Sequence, residues 1–292
     1  MSSPPPLVPE PGKARDIALL RHRLRGLERG GRTGEAGVLP LGLEALDEAL
    51  PGGGLDLGAL HEIVEASEGD GAATGFALHL IARRLRQKGM EGRPALWCAP
   101  EVDLYAPGLA GFGLDHARLV IVRARRRTEI LWVLEEALRC RGLAAVLGEV
   151  TGADLASSRR LQLAAAGGGF GLLLHRREAT SVRGPGPSPT SPSAATTRWQ
   201  VASVPGGTGP AEVGPMGGLS GPPRWRLELL RCRGGRAAAW IVEGGLVDGH
   251  FREDGNGATG GFALAAAIRD GTARPGTASP DPIRRDPIRA GR

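Results

Sequence analysis

The sequence predicts an α/β protein, a mostly parallel sheet flanked by helices, with antiparallel strands added late in the chain. Three observations carry this expectation. Short apolar runs alternate with amphipathic helical stretches from about residue 60 to residue 174. The runs are almost continuously apolar, as strands covered on both faces must be. From residue 197 the pattern changes to alternating strands with a Gly-Gly turn.

Residues 1–12 are Pro-rich and lack an apolar h-region, so they read as a disordered lead and not as a signal peptide. Residues 14–29 predict a helix, because Ile17, Leu20, Leu24 and Leu27 recur at spacings of three and four beside Arg21, Arg23 and Arg25. Its apolar stripe, with Leu20 and Leu24 at the centre, would dock on the chain's own domain or on a partner. Residues 1–36 therefore form a lead, a helix and a Gly-rich linker.

The core is expected over 37–245. It opens with a short helix carrying Leu43, Leu46 and Leu50, stopped by Pro51 to Gly54. Leu60 to Val64 predicts a strand, Glu68 to Gly75 a Gly-rich loop, and Phe76 to Lys88 a helix with Phe76, Leu80, Ile81 and Leu85 inward. Strands follow at Ala95–Cys98, Leu119–Val122, Leu143–Leu147 and Phe170–Leu174. Helices follow at Glu129–Arg141, with Trp132 among its apolar positions, and at Leu155–Ala166. Segments 183–195 and 205–223 are rich in Gly, Pro and Ser and are expected to be mobile loops. Thr197–Val204, Arg224–Arg233 and Ala237–Val242 read as strands, the last two as a hairpin turned by Gly234-Gly235. Residues 246–292 are expected to be a disordered tail, within which Gly261–Ile268 reads as a brief helix.

Composition narrows the chemistry. The chain has 292 residues, 37 Lys+Arg and 31 Asp+Glu, and its lysines are Lys13 and Lys88 alone. An active site built round a lysine thus has almost no candidates. The net charge of +6 permits contact with nucleic acid, although Arg replacing Lys throughout reads first as the imprint of a GC-rich genome. Three widely spaced cysteines without a CxxC pair argue against a disulfide framework or zinc site. No apolar run approaches the roughly 20 residues of a membrane span. A reduced, cytoplasmic location is expected.

A strand, a Gly-rich loop and a helix in that order form the architecture of a phosphate-binding loop, whose full signature is GxxxxGK[ST]. Here the loop runs from Glu65 to Phe76; Ala72 or Ala73 stands at the lysine position and Thr74 at the hydroxyl position. Glu65, Glu68 and Asp70 add negative charge where phosphates would sit. The candidate nucleotide-binding residues are Gly71 and Thr74 on the loop, with Glu101 and Glu149 after two apolar strands, where carboxylates would polarise water or hold magnesium. No catalytic residue and no metal ligand set is assigned. Arg159 and Arg160, on one helix, could meet phosphate or an acidic partner. Trp199 and Trp225, beside arginines, could stack on single-stranded bases, or cover the sheet with arginine over them.

Several stretches resemble the bacterial ImuA family: LPLGL at 39–43 with Leu46-Asp47, PGGGL at 51–55, GALHE at 58–62, LWC at 96–98, YAPGL at 105–109, RRLQLAA at 159–165, TRW at 197–199 and PRWRLELLRCRGG at 223–235. The resemblance spans about Leu39 to Glu243. It implies a RecA-like, P-loop NTPase-type core, with Glu101 at the position of RecA's catalytic glutamate and Glu149 at that of the magnesium-linked acid. The missing loop lysine implies an adaptor with no enzymatic activity, ATP and magnesium being left open. It further implies a part in SOS-induced, error-prone translesion DNA synthesis beside ImuB, an inactive polymerase relative. RecA and an error-prone DNA polymerase alpha subunit are further implied partners, and DNA is expected to be reached indirectly. Two other functions stay open, a divergent ATPase with a degenerate phosphate loop and a cell-division inhibitor of the SulA type.

Overall fold

The computed structural model describes residues 37–177, 191–204 and 224–243, together with the backbone of strands at 244, 246–247, 250–251 and 262–268. The helix expected at 14–29, with Leu20 and Leu24, and the loop 205–223 lie outside the described residues.

The chain opens with β1 (Val38–Leu39), α1 (Glu44–Ala49) and β2 (Leu55–Asp56), where β1 and β2 pair antiparallel. Then come β3 (Leu60–Glu65), α2 (Ala72–Arg86), β4 (Ala95–Ala99), α3 (Ala106–Gly111), β5 (Leu119–Arg123), α4 (Arg127–Arg139), β6 (Ala145–Val150), α5 (Leu155–Ala165) and β7 (Gly171–His175). The late strands are β8 (Thr197–Val204), β9 (Arg224–Cys232), β10 (Ala238–Gly244), β11 (Leu246–Val247), β12 (His250–Phe251) and β13 (Phe262–Ile268).

One nine-stranded sheet has the order β13-β10-β9-β8-β3-β7-β6-β4-β5. The run from β8 to β5 is parallel, and β9, β10 and β13 extend it antiparallel. This is the α/β, RecA-like architecture that the sequence predicts. Helix α2 covers one face through Phe76, Leu80 and Ile81, against Trp97, Trp199, Trp225 and Trp240. Helices α4 and α5 cover the other through Ile130, Leu134, Leu138 and Leu161. Gly148 lets α4 lie close on β6, since a Cβ there would come within 2.4 Å of the Leu134 side chain.

Three expectations are corrected. Trp132 does not join the core of α4: its position turns to solvent and it is 62% exposed, because the buried Ile130, Leu134, Ala137 and Leu138 define the opposite stripe. The end of the expected loop, 191–195, packs on the domain, with Ser193 and Ala195 buried. Gly261–Ile268 is not a helix, because residues 262–268 pair as strand β13 along β10, Ala267 opposite Trp240. An open sheet edge outweighs the helix propensity of an Ala-rich run. Strands β11 to β13 also fall in the segment expected to be disordered.

Strand β3 is buried along its whole length, yet its sequence is LHEIVE. Each polar group therefore needs a partner inside the protein. Glu62 accepts from Arg198 Nε at 2.6 Å and from Ser193 Oγ at 2.7 Å. Burial works against its charge, but His175, Arg198 and Ser193 outweigh burial and hold the carboxyl down at about 2. His61 Nε2 lies 2.8 Å from the Asp56 carbonyl, so Nε2 carries the proton and donates. The Thr197 hydroxyl then donates to Nδ1 at 2.8 Å and accepts from Trp199 Nε1 at 3.0 Å. Burial pushes His61 down to about 4 and His79 down to about 3.

Two outcomes follow from these buried groups. Arg198→Ala strands the Glu62 charge and should cost about 3–5 kcal/mol in urea unfolding, since breaking one side of a buried pair leaves the other uncompensated. For His61 and His79 the folded pKa lies below the ordinary 6.5. The unfolded chain binds the extra protons, so stability is full above pH 6.5 and is lost as pH falls toward 4 and then 3. Glu62 adds a further loss as pH falls from about 4.3 toward its folded value of about 2. Urea midpoints measured from pH 8 to pH 4 should be flat above 7 and fall below 6.5; His79→Leu should flatten part of that fall.

Candidate functional site

The chain leaves β3 for β4, three places away, and later passes β3 again to reach β8. Ligands of open α/β sheets bind outside the carboxyl ends of strands at such a reversal. The Gly-rich loop between β3 and α2 sits there, with Gly71 as the N-cap residue and Thr74 in the first turn of α2. The position is that of a phosphate cradle, but the chain fills it with its own groups.

The first is the Asp70 carboxylate. Its Oδ1 accepts from the Ala72 N–H at 3.0 Å, an amide at the start of α2 that a phosphate loop would offer to its ligand. Both oxygens also bind β8: Oδ1 accepts from Ser203 Oγ at 2.6 Å and Oδ2 from the Ser203 N–H at 2.7 Å. Burial opposes the charge, but these donors outweigh it and hold the Asp70 carboxyl below its ordinary range.

The second is Trp225. A Cβ at Gly75 would meet its ring at 2.6 Å and Phe112 at 3.4 Å, so the indole lies directly on the α2 backbone. Beside it the Thr74 hydroxyl is buried, with no hydrogen-bond partner among the described residues.

The third is Arg176, the first residue after β7. Its Nε donates to Glu149 Oε2 at 2.6 Å and its Nη1 to Glu65 Oε1 at 3.4 Å. Trp97 Nε1 donates to the other Glu149 oxygen at 2.7 Å, and the Arg177 N–H to the other Glu65 oxygen at 2.9 Å. Burial would lower the Arg176 pKa, but Glu149 and Glu65 outweigh it and raise it. A guanidinium thus stands between two buried carboxylates, at strand ends where a nucleotide-binding protein would place cation and phosphate.

The structure brings Gly71, Thr74 and Glu149 to this region and leaves Glu101 outside its network. Glu149 is not a loop acid, because β6 runs on to Val150 and buries it. Glu101 is 87% exposed in its side chain, and its ion-pair partner is Arg123 at 3.8 Å. Trp199 is buried beneath α2, 5.6 Å from Phe76 between ring centres, and Trp225 is buried too, so neither offers a face to a nucleic-acid base. Arg159 is exposed on α5, and Arg160 pairs with Glu135 of α4. Sequence reasoning passes over Trp97 and Arg176. The available signal was a run of three ionisable residues, His175-Arg176-Arg177, directly after the apolar run Leu172–Leu174.

The described residues do not fit a magnesium nucleotide. A lysine is lacking, a carboxylate holds a cradle amide, and a resident arginine holds the two acids that would serve a metal. Arg176→Ala should cost about 2–4 kcal/mol in urea unfolding, somewhat below the 3–5 of a fully buried pair because Arg176 is partly exposed. Arg176→Lys should recover little of that, because an ammonium cannot reach both carboxylates as the planar fork does. Gly75→Val should cost about 1–3 kcal/mol by overpacking against Trp225, read in the same assay.

No family model matches the chain. Among curated proteins it is similar to Protein ImuA of Caulobacter vibrioides, strains NA1000 / CB15N and ATCC 19089 / CB 15. Both are 44% identical to it over 220 residues, covering 74% of this chain and 87% of theirs. The identity spans most of both chains, and the stretches that first suggested the family lie in the folded core. The chain belongs to the ImuA family.

Proposed function

We propose that the chain is a non-catalytic, RecA-like accessory protein of error-prone translesion DNA synthesis, acting in the SOS response to DNA damage through contacts with other proteins. Membership of the ImuA family supports the setting. One observation carries the non-catalytic part, the Glu65–Arg176–Glu149 network. A site whose two acids are already held by a resident arginine has no use for magnesium at that place, and the loop has alanine where the lysine that meets a leaving phosphate would stand. What remains is a rigid α/β platform with edges and faces for partners.

ImuB is the first partner under this reading, with RecA and an error-prone DNA polymerase alpha subunit after it. The segment ahead of residue 37, with its Leu20 and Leu24 stripe, is the proposed element for the RecA contact. The divergent ATPase keeps a single observation in its favour, the uncommitted Thr74 hydroxyl.

Co-purification of the full chain with ImuB and with RecA tests the reading. Recovery of ImuB is expected, together with hydrolysis of ATP no faster than background. A truncation that starts at residue 37 should keep ImuB and lose RecA. Recovery of neither partner by the full chain contradicts the adaptor role. Hydrolysis above background that Thr74→Ala abolishes favours the ATPase instead.

A further inference from the structure

The opposite, amino-terminal end of the sheet has a different chemistry. Arg93, Arg118 and Arg141 precede β4, β5 and β6, which are adjacent and parallel in the order β6-β4-β5. Neighbouring strands lie about 5 Å apart, so the three arginines stand along one short rim. Lys88, just past the end of α2, joins them. The three arginines are tied to one another through backbone. Arg118 Nη2 donates to the Arg93 carbonyl at 2.8 Å and the Met90 carbonyl at 2.5 Å, while Arg118 Nη1 reaches the Leu85 carbonyl at 3.2 Å. Arg93 Nη1 donates to the Arg141 carbonyl at 3.0 Å.

The acceptors are carbonyls, not carboxylates. Among the described residues none of Lys88, Arg93, Arg118 and Arg141 forms an ion pair, although arginines elsewhere in the fold do so repeatedly. A carbonyl orients a guanidinium without cancelling its charge. The rim therefore keeps a net positive field, against which stand the exposed acids Glu91 and Asp115. Backbone N–H groups of Glu91 and Gly89 hold the Glu91 carboxyl below its ordinary range, helped by Arg118 and Arg93.

We infer that this rim binds the phosphodiester backbone of a nucleic acid, without reading its sequence. The exposed Lys88, Arg93 and Arg141 supply the donors for phosphate oxygens, Arg93 already oriented by its one carbonyl contact, while Arg118, whose fork is spent on carbonyls, adds charge beneath them. A protein partner is the weaker match. Protein interfaces centre on buried apolar or aromatic anchors, and the rim segments 83–94, 113–118 and 139–143 expose no large apolar side chain. Val120 and Ile121, further along β5, are the exposed apolar residues nearest in sequence. The rim lies at the far end of the sheet from the Asp70 and Arg176 site. The inference goes beyond the adaptor role, and it makes the DNA contact direct where the sequence led us to expect an indirect one.

The test is fluorescence anisotropy of the full chain with a labelled 30-residue oligonucleotide of mixed sequence, single-stranded and as a duplex, over a range of salt. Lys88→Glu/Arg93→Glu/Arg141→Glu should bind at least about tenfold more weakly near 0.1 M salt, with the slope of log K against log salt reduced by about 2–3. Lys88→Gln/Arg141→Gln, which is milder, should show a smaller loss in the same direction if the triple variant fails to fold by circular dichroism. Arg125→Glu/Arg126→Glu/Arg236→Glu has the same net charge at other exposed positions and should bind almost as wild type does. Equal loss in the two triple variants overturns the inference, because net charge alone would then explain binding. Absence of binding by wild type at low salt also overturns it. Displacement of the oligonucleotide by a poly-glutamate peptide at equal charge concentration overturns the nucleic-acid assignment in favour of an acidic protein segment. Single-stranded and duplex affinities within a few-fold of each other are expected for backbone contact, and a preference for one sequence among oligonucleotides contradicts it.

Discussion

A fully buried central strand that carries three ionisable side chains is the constraint on which the rest of the fold rests. Leu60–Glu65 has sheet neighbours on both edges and helices over both faces, so His61, Glu62 and Glu65 cannot be hydrated as exposed groups are. Each of the three takes at least one partner from an adjacent strand or from the residues just after it. Thr197 and Arg198 on β8 answer His61 and Glu62, and Arg176 after β7 answers Glu65. Because side chains alternate across a strand, a slip of one residue would put every one of these groups on the wrong face. The buried pairs thus specify the register of β7, β3 and β8 more strictly than apolar packing alone would. Their net contribution to stability is modest in comparison.

The same arrangement decides what the carboxyl end of the sheet can hold. Glu65 and Glu149 lie on the α2 side of the sheet, and a guanidinium joins them. Asp70 occupies an amide at the head of α2, and Trp225 closes on Gly75. A phosphate cradle depends on free amides, a mobile cation and space. Here the amide, the cation and the space are each assigned to the chain itself. The shape of a nucleotide-binding core is kept and its vacancy is not. At the other end of the sheet arginines are held by carbonyls, so their charge stays available. The two ends use one residue type in opposite ways, neutralised at one and exposed at the other.

Much of this was legible in the sequence. Apolar runs at 95–98, 143–147 and 170–174 marked three of the parallel strands, and the Leu and Phe spacing of 76–85 marked α2 and its buried face. The absent lysine at Ala72 or Ala73 was also legible, because that residue is local to its motif. Pairings between distant segments were not. Nothing near Glu149 in the sequence indicates that Arg176 and Trp97 will meet it, and nothing near Gly75 indicates Trp225. Trp132 misled because apolar character alone does not choose a helix face, and residues 262–268 misled because an open sheet edge overrode local propensity. Local chemistry was readable and long-range satisfaction of buried charge was not.

The central claim is that the cradle is filled from within, and amide chemical shifts test it most directly. Backbone resonances of Gly71, Ala72, Thr74 and Gly75 can be followed in the isotope-labelled full chain while magnesium and ATP are added to millimolar concentration. The account predicts that these amides stay where they are, while Asp70→Ala/Arg176→Ala, if folded, lets them move. Saturable shifts of those four amides in the wild-type chain would contradict it.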